Sequence, residues 1–315
     1  MIRRLRTRQP DFPLFDHDPF CSIILVTYNI AEDMIARCLQ ALRALDYPSF
    51  ETIIVDNASH QETQEALGRL CGDEIVIWNK TNRGFCGGCN DGAKRAKGEV
   101  LVFLNVDTEA RSDWLRELVR PFRENPRAAV TGCKMYYPGG RKLQHAGAIL
   151  HANAMTEHYA YQQEDAGQAD EERSVDWCTG AALAVRREFI ERSGGDAFDE
   201  SFFPAYYEDV DLCYRARLMG YETIYVPRAV LVHFESPVIP NTSRRFYRLC
   251  YRSRIIFCLK NYTLRQWLFE WLPLECNWLR APYSKGFRKK QLRAYLDGLL
   301  FLLGRRLDPQ SLPDE

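Results

Sequence analysis

The chain lacks a hydrophobic stretch long enough to cross a membrane. Its longest late apolar run, Leu299 to Leu303, is far shorter than the roughly 20 residues that a spanning helix needs. The charged first residues are followed by Gln9-Pro10-Asp11 instead of an apolar core, so no signal peptide is predicted. We therefore expect a protein that works in the cytoplasm and does not cross the membrane.

Two common sequence signatures are also missing. Thr27-Tyr28-Asn29 follows the first predicted strand where a dinucleotide-binding protein would have G-x-G-x-x-G, which argues against a nicotinamide-dependent enzyme. Eleven cysteines include one close C-x-x-C pair, Cys86 and Cys89, without the second pair that a zinc site would need. An odd number of scattered cysteines favours a reduced protein over a disulfide scaffold.

The sequence has no net charge, but its charges are unevenly distributed. Residues 241–306 hold 15 Lys and Arg against 3 Asp and Glu, which leaves 27 against 39 in the rest of the chain. The C-terminal region is therefore basic, and the body of the protein is acidic.

Apolar strands alternate with helical segments over the first hundred residues. This pattern predicts an α/β fold with a mostly parallel central sheet flanked by helices. The predicted strands are Ser22 to Val26, Thr52 to Val55, Ile75 to Trp78 and Val100 to Leu104.

The domain prediction has three parts: an N-terminal extension over 1–20, a catalytic domain over 21–240, and a basic, aromatic-rich helical region over 241–315. The middle of the chain is less regular, with short strands predicted at 128–135, 181–185 and 223–226. The polar stretch from Gln162 to Arg173 is predicted to be a mobile loop.

Two acidic clusters indicate where the chemistry lies. The strand Val100 to Leu104 ends in Asn105-Val106-Asp107, and Glu208-Asp209 follows about a hundred residues later. Because ligands of open α/β sheets gather at the carboxyl ends of the strands, the two clusters suggest a metal ligand and a base. The alternatives are a strand-to-helix turn at Asp107 and a helix cap at Glu208 and Asp209.

Polar residues end the other predicted parallel strands. Thr27 and Asn29 follow the first strand, Asp56 ends the second, and Asn82 and Gly84 open a glycine-rich segment after the third. Asp56 is suited to accept hydrogen bonds from a base or a ribose hydroxyl, and a glycine loop lets backbone approach a ligand closely. The alternative for Asp56 is a turn or helix N-cap.

The combined pattern resembles the family 2 glycosyltransferases, within them the rhamnosyltransferase-like branch that builds bacterial surface polysaccharides. The resemblance extends from about Cys21 to His233, and its segments are specific through their order and spacing. In chain order they are Ser22 to Asn29, Ile54 to Ser59, Asn82 to Gly88 with Asn90 and Gly92, Phe103 to Asp107, Val175 to Ala181, Phe198 to Glu200, Glu208 to Cys213 with Arg215, and His233.

The resemblance implies a GT-A fold, a nucleotide-diphospho-sugar donor, a divalent cation (Mg²⁺ or Mn²⁺) and an inverting transfer. Asp56 matches the aspartate that holds the donor base, Asp107 the metal-binding aspartate, His233 a histidine that completes the metal shell in some members, and Asp209 the catalytic base. Asn105 stands where the D-x-D motif has its first aspartate, which removes one charge from the site.

Three further side chains are considered for a role in the site. Trp177 suits a sugar contact, with core packing as the commoner alternative. Glu208 adjoins Asp209 at the start of a helix predicted to reach Met219, where the helix dipole favours ionised carboxylates. Asp211 lies on a different side of that helix and is expected to be structural.

The basic segment from Arg244 to Arg306 carries interleaved aromatic residues, which indicates either binding to an anionic membrane surface, packing on the catalytic domain, or a homodimer contact. No nucleic-acid-binding motif accompanies it. The family resemblance thus implies an inverting glycosyltransferase, which we expect at the inner face of the cell membrane. It would move a sugar, L-rhamnose from dTDP-L-rhamnose or a hexose from a UDP-sugar, onto a lipid-linked or polysaccharide acceptor. A non-catalytic nucleotide-sugar-binding protein is the alternative.

Overall fold

The parallel half of the central sheet is built from short apolar segments. The computed structural model describes residues 11–235, 243–281 and 286–304. Strand β1 pairs in parallel with β2 and with β4, and β2 pairs in parallel with β3. Helices cover both faces, so the strands need no polar alternation. These strands are β1 (Cys21–Thr27), β2 (Phe50–Asp56), β3 (Ile75–Trp78) and β4 (Val100–Asn105).

Helices α1 (Glu32–Arg43), α2 (Gln61–Leu70) and α3 (Gly84–Arg95) connect these strands. The glycine-rich segment predicted as a ligand loop is instead the first half of α3. A Cβ on Gly92 would lie 2.4 Å from Ile24 Cγ2, so this glycine lets the helix pack closely against β1. The prediction of a loop was wrong because the sequence pattern does not distinguish backbone approach to a ligand from backbone approach to a sheet.

The second half of the sheet mixes strand directions. Its order from the parallel edge is β3-β2-β1-β4-β11-β6-β12-β10, and β11 runs antiparallel between β4 and β6. β12 is parallel to β6, while β5 pairs with β12 and β7 with β6. The bounds are β5 (Thr108–Ala110), β6 (Ala128–Tyr136), β7 (Leu143–His145), β8 (Ala148–Leu150), β9 (Thr156–His158), β10 (Arg173–Val175), β11 (Ala182–Arg186) and β12 (Glu222–His233).

The remaining helices of this half flank the sheet. They are α4 (Trp114–Val119), α5 (Pro121–Glu124), α6 (Arg187–Ser193) and α7 (Glu208–Leu218), with a 3-10 turn at Glu200–Phe202. Helix α7 starts at Glu208 as predicted. The carboxyl ends of β4 and β12 and the beginnings of β11 and α7 converge at one edge of the sheet, which we call the carboxyl edge.

The polar stretch from Gln162 contains no helix or strand until β10 begins at Arg173. Contacts nevertheless attach it to β6. The buried Lys134 Nζ lies 2.9 Å from Asp165 Oδ2 and also bonds to Asp170, and the Tyr136 hydroxyl donates to Asp165. The predicted loop is therefore held to the sheet by a buried cation.

Residues 11–20 form an irregular segment, and residues 1–10 of the predicted extension lie outside the described part. Phe12 stacks on Tyr221 with ring centroids 4.2 Å apart, and its N–H donates to Pro126 O. Phe12 thus attaches this segment to the core.

The C-terminal region is helical, with α8 (Arg244–Asn261), α9 (Leu264–Gln266), a π-helical turn (Trp267–Trp271), α10 (Leu272–Arg280) and α11 (Arg288–Leu302). Helix α8 belongs to the core, since Phe257 packs against both Tyr207 and Tyr214. Packing is therefore the correct alternative for α8. In the described part of the chain, every helix is too short or too polar to cross a bilayer.

Candidate active site

Asp107 and His233 meet at the carboxyl edge because β5 pairs with the end of β12. This pairing sets Thr108 opposite His233 and brings Asp107 Oδ1 within 3.2 Å of His233 Nε2. Asn105 Nδ2 lies 3.5 Å from the same nitrogen. The three residues proposed from the sequence for the metal end of the donor site are therefore neighbours.

Gln144 on β7 orients the His233 ring. Its Oε1 lies 2.8 Å from His233 Nδ1, so Nδ1–H donates to this carbonyl. In the neutral imidazole, Nε2 then presents its lone pair towards the Asp107 carboxylate. Two acceptors 3.2 Å apart are a favourable pair only when a proton or a cation lies with them.

Asp107 and His233 together fit a divalent cation that is also coordinated by the substrate of the enzyme. One carboxylate and one imidazole suit Mn²⁺, and Mg²⁺ sites commonly use one or two protein carboxylates together with substrate phosphates and water. Across residues 11–235, 243–281 and 286–304, no cluster of three His, Cys, Asp or Glu side chains is arranged for a metal. Donor phosphates would therefore have to complete the coordination.

Asp209 lies in the first turn of α7, beside the start of β11. Its Oδ2 accepts the Gly180 N–H at 2.8 Å, and its Oδ1 accepts the Val210 N–H at 2.8 Å. The next residue, Ala181, contacts the end of β4, because its carbonyl O accepts the Asn105 N–H at 2.8 Å. A continuous backbone path therefore connects the proposed base to the strand that carries the proposed metal ligand.

The pKa values of Glu208 and Asp209 are both raised by burial. The pKa of Glu208 rises well above its usual range, first through burial and then through the nearby Asp209 charge. Burial also raises the pKa of Asp209, while the N–H groups of Gly180 and Val210 oppose the rise. Desolvation thus outweighs the helix dipole expected to favour ionisation, and Asp209 is the member of the pair better stabilised as a carboxylate.

A second polar cluster lies where β1 and β2 end. Asp56 is 0% exposed, and its Oδ1 accepts from the Thr27 hydroxyl at 3.1 Å. Its Oδ2 accepts from Ser59 N at 3.1 Å and from Gln64 Nε2 at 3.3 Å. These contacts give Asp56 the turn-forming role that was the alternative to binding a nucleotide base. They also leave one lone pair on Oδ1 for another donor, so nucleotide binding stays a prediction.

Asn29, also predicted for donor binding, belongs to the same corner. Its backbone N–H donates to Ser59 Oγ at 3.0 Å, and its side-chain Oδ1 accepts the His60 N–H at 2.8 Å. Its φ of 51° is in the left-handed region, which asparagine tolerates. Asn29 therefore joins the ends of β1 and β2.

Asn82 and Gly84 form the turn into α3. Asn82 Oδ1 accepts the Gly84 N–H at 2.7 Å, and Gly84 O accepts from Asn57 Nδ2 at 2.7 Å. Gly84 has a φ of +68°, and a Cβ there would lie 2.7 Å from Pro204 O. A side chain at position 84 would therefore disrupt this corner.

Trp177 packs against two histidines. It is buried, its Nε1–H lies 3.4 Å from Ile149 O, and its ring packs on His145 and His158 at centroid distances of 5.8 and 5.0 Å. Burial lowers the pKa of His158 to about 4, so this cluster is uncharged and apolar in character. Core packing, the commoner alternative for a tryptophan, accounts for these contacts, and the sugar contact stays a prediction.

Two other sequence interpretations can be compared with the structure. Asp211 pairs with Arg215 at 2.9 Å and accepts from Asn261 Nδ2 at 2.8 Å, so it is structural as predicted. Cys86 and Cys89 are buried in α3, where burial raises the pKa of each thiol well above its usual value. They are packing residues.

Sequence reasoning missed Gln144 and the Gly180 N–H. Gln144 lies on a three-residue strand in an irregular region, so no hydrophobic period marks it. The Gly180 N–H is a backbone group that any residue would supply. Only the contact between Gly180 and Asp209 reveals its role.

The family model described as glycosyl transferase family 2 matches residues 22–194. The chain therefore belongs to the family 2 glycosyl transferases.

Several curated relatives are about one third identical to the chain. An N-acetylglucosaminyl-diphospho-decaprenol L-rhamnosyltransferase of Mycobacterium tuberculosis is 34% identical over 240 residues, covering 68% of this chain and 76% of that protein. The O-antigen biosynthesis protein RfbC of Myxococcus xanthus is 30% identical over 224 residues, covering 68% of this chain and 17% of that protein. An uncharacterised protein of Sinorhizobium fredii is 31% identical over 228 residues, covering 69% of this chain and 25% of that protein. The chain thus spans a quarter or less of the two longer relatives.

Solved structures share the fold at low identity. A mannosyltransferase from Pyrobaculum calidifontis in complex with GDP-Man and Mn²⁺ has a TM-score of 0.56 at 16% identity, covering 96% of this chain and 92% of that one. GalNAc-T7 with UDP, GalNAc and Mn²⁺ has a TM-score of 0.62 at 15% identity, covering 89% of this chain and 55% of that one. The fold is GT-A, with the C-terminal helices added to it.

Proposed function

We propose that the protein is an inverting, metal-dependent glycosyltransferase that uses a nucleotide-diphospho-sugar donor. The observation that carries the proposal is the arrangement of two different sites at one edge of the sheet. Asp107 and His233 lie 3.2 Å apart at the end of β4, and the Asn105–Ala181 and Gly180–Asp209 hydrogen bonds connect them to a buried carboxylate. Leaving-group stabilisation and proton removal are the two tasks that this transfer requires.

In this proposal Asp107 and His233 hold a Mg²⁺ or Mn²⁺ ion together with the donor diphosphate. Such an ion neutralises the charge that develops on the departing nucleoside diphosphate, so no protonated acid is needed. Gln144 keeps His233 Nε2 directed at Asp107, and Asn105 contributes an uncharged amide where a second carboxylate would raise the negative charge.

Asp209 is proposed to remove the proton from the acceptor hydroxyl. The hydroxyl oxygen then forms its bond to the anomeric carbon while the bond from that carbon to the diphosphate oxygen breaks, and the proton stays on Asp209. The raised pKa makes Asp209 a stronger base than a solvated aspartate, and the Gly180 and Val210 N–H groups hold it in place. Glu208, with the higher pKa, is proposed to remain protonated beside it.

The nucleotide is proposed to bind at the corner of Thr27, Asn29, Asp56, Asn82 and Gly84. Support comes from the remaining lone pair of Asp56 Oδ1 and from the position of this corner at the ends of β1 and β2. The favoured donor is dTDP-L-rhamnose, from which L-rhamnose is transferred, since a 34% identical relative is named as an L-rhamnosyltransferase. A UDP-hexose is the same-fold alternative.

The acceptor is proposed to be a lipid-linked or growing cell-surface glycan. The same relative is named for a decaprenol-linked acceptor, and another for O-antigen biosynthesis. An enzyme with a lipid-linked acceptor has to work at the surface of the membrane. We propose that the reaction takes place at the inner face of the cell membrane.

A thermal-shift panel of dTDP- and UDP-sugars with and without Mn²⁺ tests this proposal. A ligand at 100 times its Kd adds about 2.7 kcal/mol of stability. We expect the true donor to raise the Tm in a Mn²⁺-dependent way, Asp107→Ala to abolish that dependence, and His233→Ala to weaken it less because it removes a neutral ligand. Unchanged metal-dependent binding in Asp107→Ala would remove the metal from this site, and binding without any sugar transfer would favour a non-catalytic protein.

A further inference from the structure

The outer surface of α9 to α11 carries large apolar side chains that the proposed transfer chemistry does not use. In the described residues sixteen large hydrophobic side chains are exposed, and ten of them lie between Leu264 and Leu303. Phe269, at 74% exposure, is among the most exposed. We call these ten residues the leucine face: Leu264, Leu268, Phe269, Leu272, Leu274, Leu292, Leu296, Leu299, Leu302 and Leu303.

Packing of α11 fixes the direction of its leucines. Leu292, Leu296, Leu299 and Leu303 follow the spacing of one helical stripe and are exposed. The opposite side of the helix is buried on α8, where a Cβ on Gly298 would lie 2.5 Å from Ile255 Cγ2. The leucines thus point outward because close packing of the other side leaves the helix no freedom to turn them in.

Charge in this segment is separated between inside and outside. The acids Glu275 and Asp297 are buried and pair with Arg254 and Arg248, which leaves Glu270 as the exposed acid between Leu264 and Gly304. Among the described residues of this segment, the exposed cations are Arg265, Arg280, Lys289 and Arg293, and Arg293 also pairs with the buried Asp297 at 3.8 Å. The outer surface is therefore apolar with a cationic surround.

We propose that the leucine face inserts into the interfacial layer of an anionic lipid bilayer. Apolar side chains in the acyl boundary with Lys and Arg at the headgroups are the features of a helix that lies in the membrane surface. A symmetrical contact with a second copy would bring the same cations together, whereas anionic headgroups attract them.

The position of the C-terminal helices gives this attachment a consequence for catalysis. Tyr206 packs edge-on against Phe246 of α8 at 5.1 Å, and Arg252 Nη1 donates to Phe203 O at 3.3 Å. These contacts join α8 to the segment that leads into Glu208 and Asp209. A bilayer bound by the leucine face would therefore contact α11, which packs on α8, the helix that contacts the segment before the proposed base.

Vesicle flotation of the full chain tests the inference. We expect the wild type to float with mixed phosphatidylglycerol and phosphatidylcholine vesicles and to remain unbound with pure phosphatidylcholine. Leu296→Glu with Leu299→Glu should lower the partition coefficient at least tenfold. The matched control is Leu218→Glu on α7, because Leu218 is 48% exposed and Leu296 is 46% exposed, yet Leu218 lies outside the face. This control should float like the wild type.

Two further variants separate charge from apolar contact and from catalysis. Arg280→Glu with Lys289→Glu should reduce binding to anionic vesicles at least tenfold. Asp107→Ala should float normally, so membrane binding and donor binding fail independently. Equal flotation of the leucine variant and its Leu218→Glu control would overturn the inference. So would sedimentation equilibrium that shows a lipid-free dimer which the leucine variant dissociates.

Discussion

Buried acids at the carboxyl edge and in the C-terminal helices meet very different partners. Glu275 accepts hydrogen bonds from Arg254, Tyr295 and Asn153, so its charge is fully compensated. Glu208 Oε2 accepts no hydrogen bond from the described residues, and its neighbour Asp209 carries a second carboxylate. A compensated acid fastens helices together, whereas an uncompensated acid beside a second one marks a place where protons move.

The two regions also differ in where their large apolar side chains lie. Around the sheet the large hydrophobic side chains are mostly buried, and polar groups collect at one edge. In α9 to α11 leucines cover the outside, while Arg254 and Glu275 lie inside. One region therefore presents chemistry to a small ligand, and the other presents an apolar surface to a much larger partner.

The largest expected effect is on stability and comes from the compensated acid. Glu275→Ala leaves Arg254 buried without its partner, which costs about 3–5 kcal/mol. Urea denaturation followed by circular dichroism measures it. Glu270→Ala is the matched control, an exposed acid of the same helical region that should change stability by less than about 0.5 kcal/mol. If both variants unfold at the same urea concentration, Glu275 does not fasten these helices.

The next effect is on rate and comes from the proposed base. Asp209→Asn keeps the size and much of the hydrogen bonding but accepts no proton, so transfer should fall by ~10²-fold or more, about 2.7 kcal/mol. Donor binding should stay within a few-fold. Glu208→Gln should slow transfer less than Asp209→Asn does.

Asp211→Asn is the control for that experiment, because it changes an acid two residues away that pairs with Arg215. It should lower stability more than it lowers the rate of transfer. Near wild-type transfer by Asp209→Asn would mean that the base lies elsewhere.

The smallest effect concerns the pH dependence of stability at Glu208. Because its pKa is raised, Glu208 keeps its proton in the folded protein at pH values where the unfolded chain has already released it. The free energy of unfolding therefore decreases as the pH rises above the usual glutamate range. Each unit of the shift corresponds to about 1.4 kcal/mol. We expect the Tm of Glu208→Gln, relative to the wild type, to increase from pH 5 to pH 8. A constant difference across that range would argue against a retained proton.

Much of the fold was predictable from the sequence. The strands β1 to β4 and the start of α7 were predicted because buried parallel strands are short apolar runs, and those runs are visible without tertiary contacts. Asp107, Asp209 and His233 were chosen through the family resemblance, and the structure brings Asp107 and His233 together. The glycine-rich segment was misinterpreted because local sequence does not show that a helix packs on a sheet there.

The long-range parts of the site were not predictable in the same way. Trp177 and Gln144 lie in short strands and turns whose hydrophobic pattern is weak, so the sequence does not tell which distant residues they contact. The leucine face could not be predicted from the sequence, because residues 241–306 have the same basic and aromatic composition in α8, which is buried, and in α11, which is exposed on one side.

The sequence by itself determined the α/β architecture, the polar ends of its strands and the basic C-terminal region, because strand burial, turn chemistry and net charge are local or additive properties. The tertiary structure decided that Asp107 meets His233, that Asp209 is held by Gly180, and that Glu275 is compensated while Glu208 is not. Each of these depends on contacts between residues far apart in the chain. Desolvation and charge pairing are set by such contacts, and they give identical carboxylates different roles.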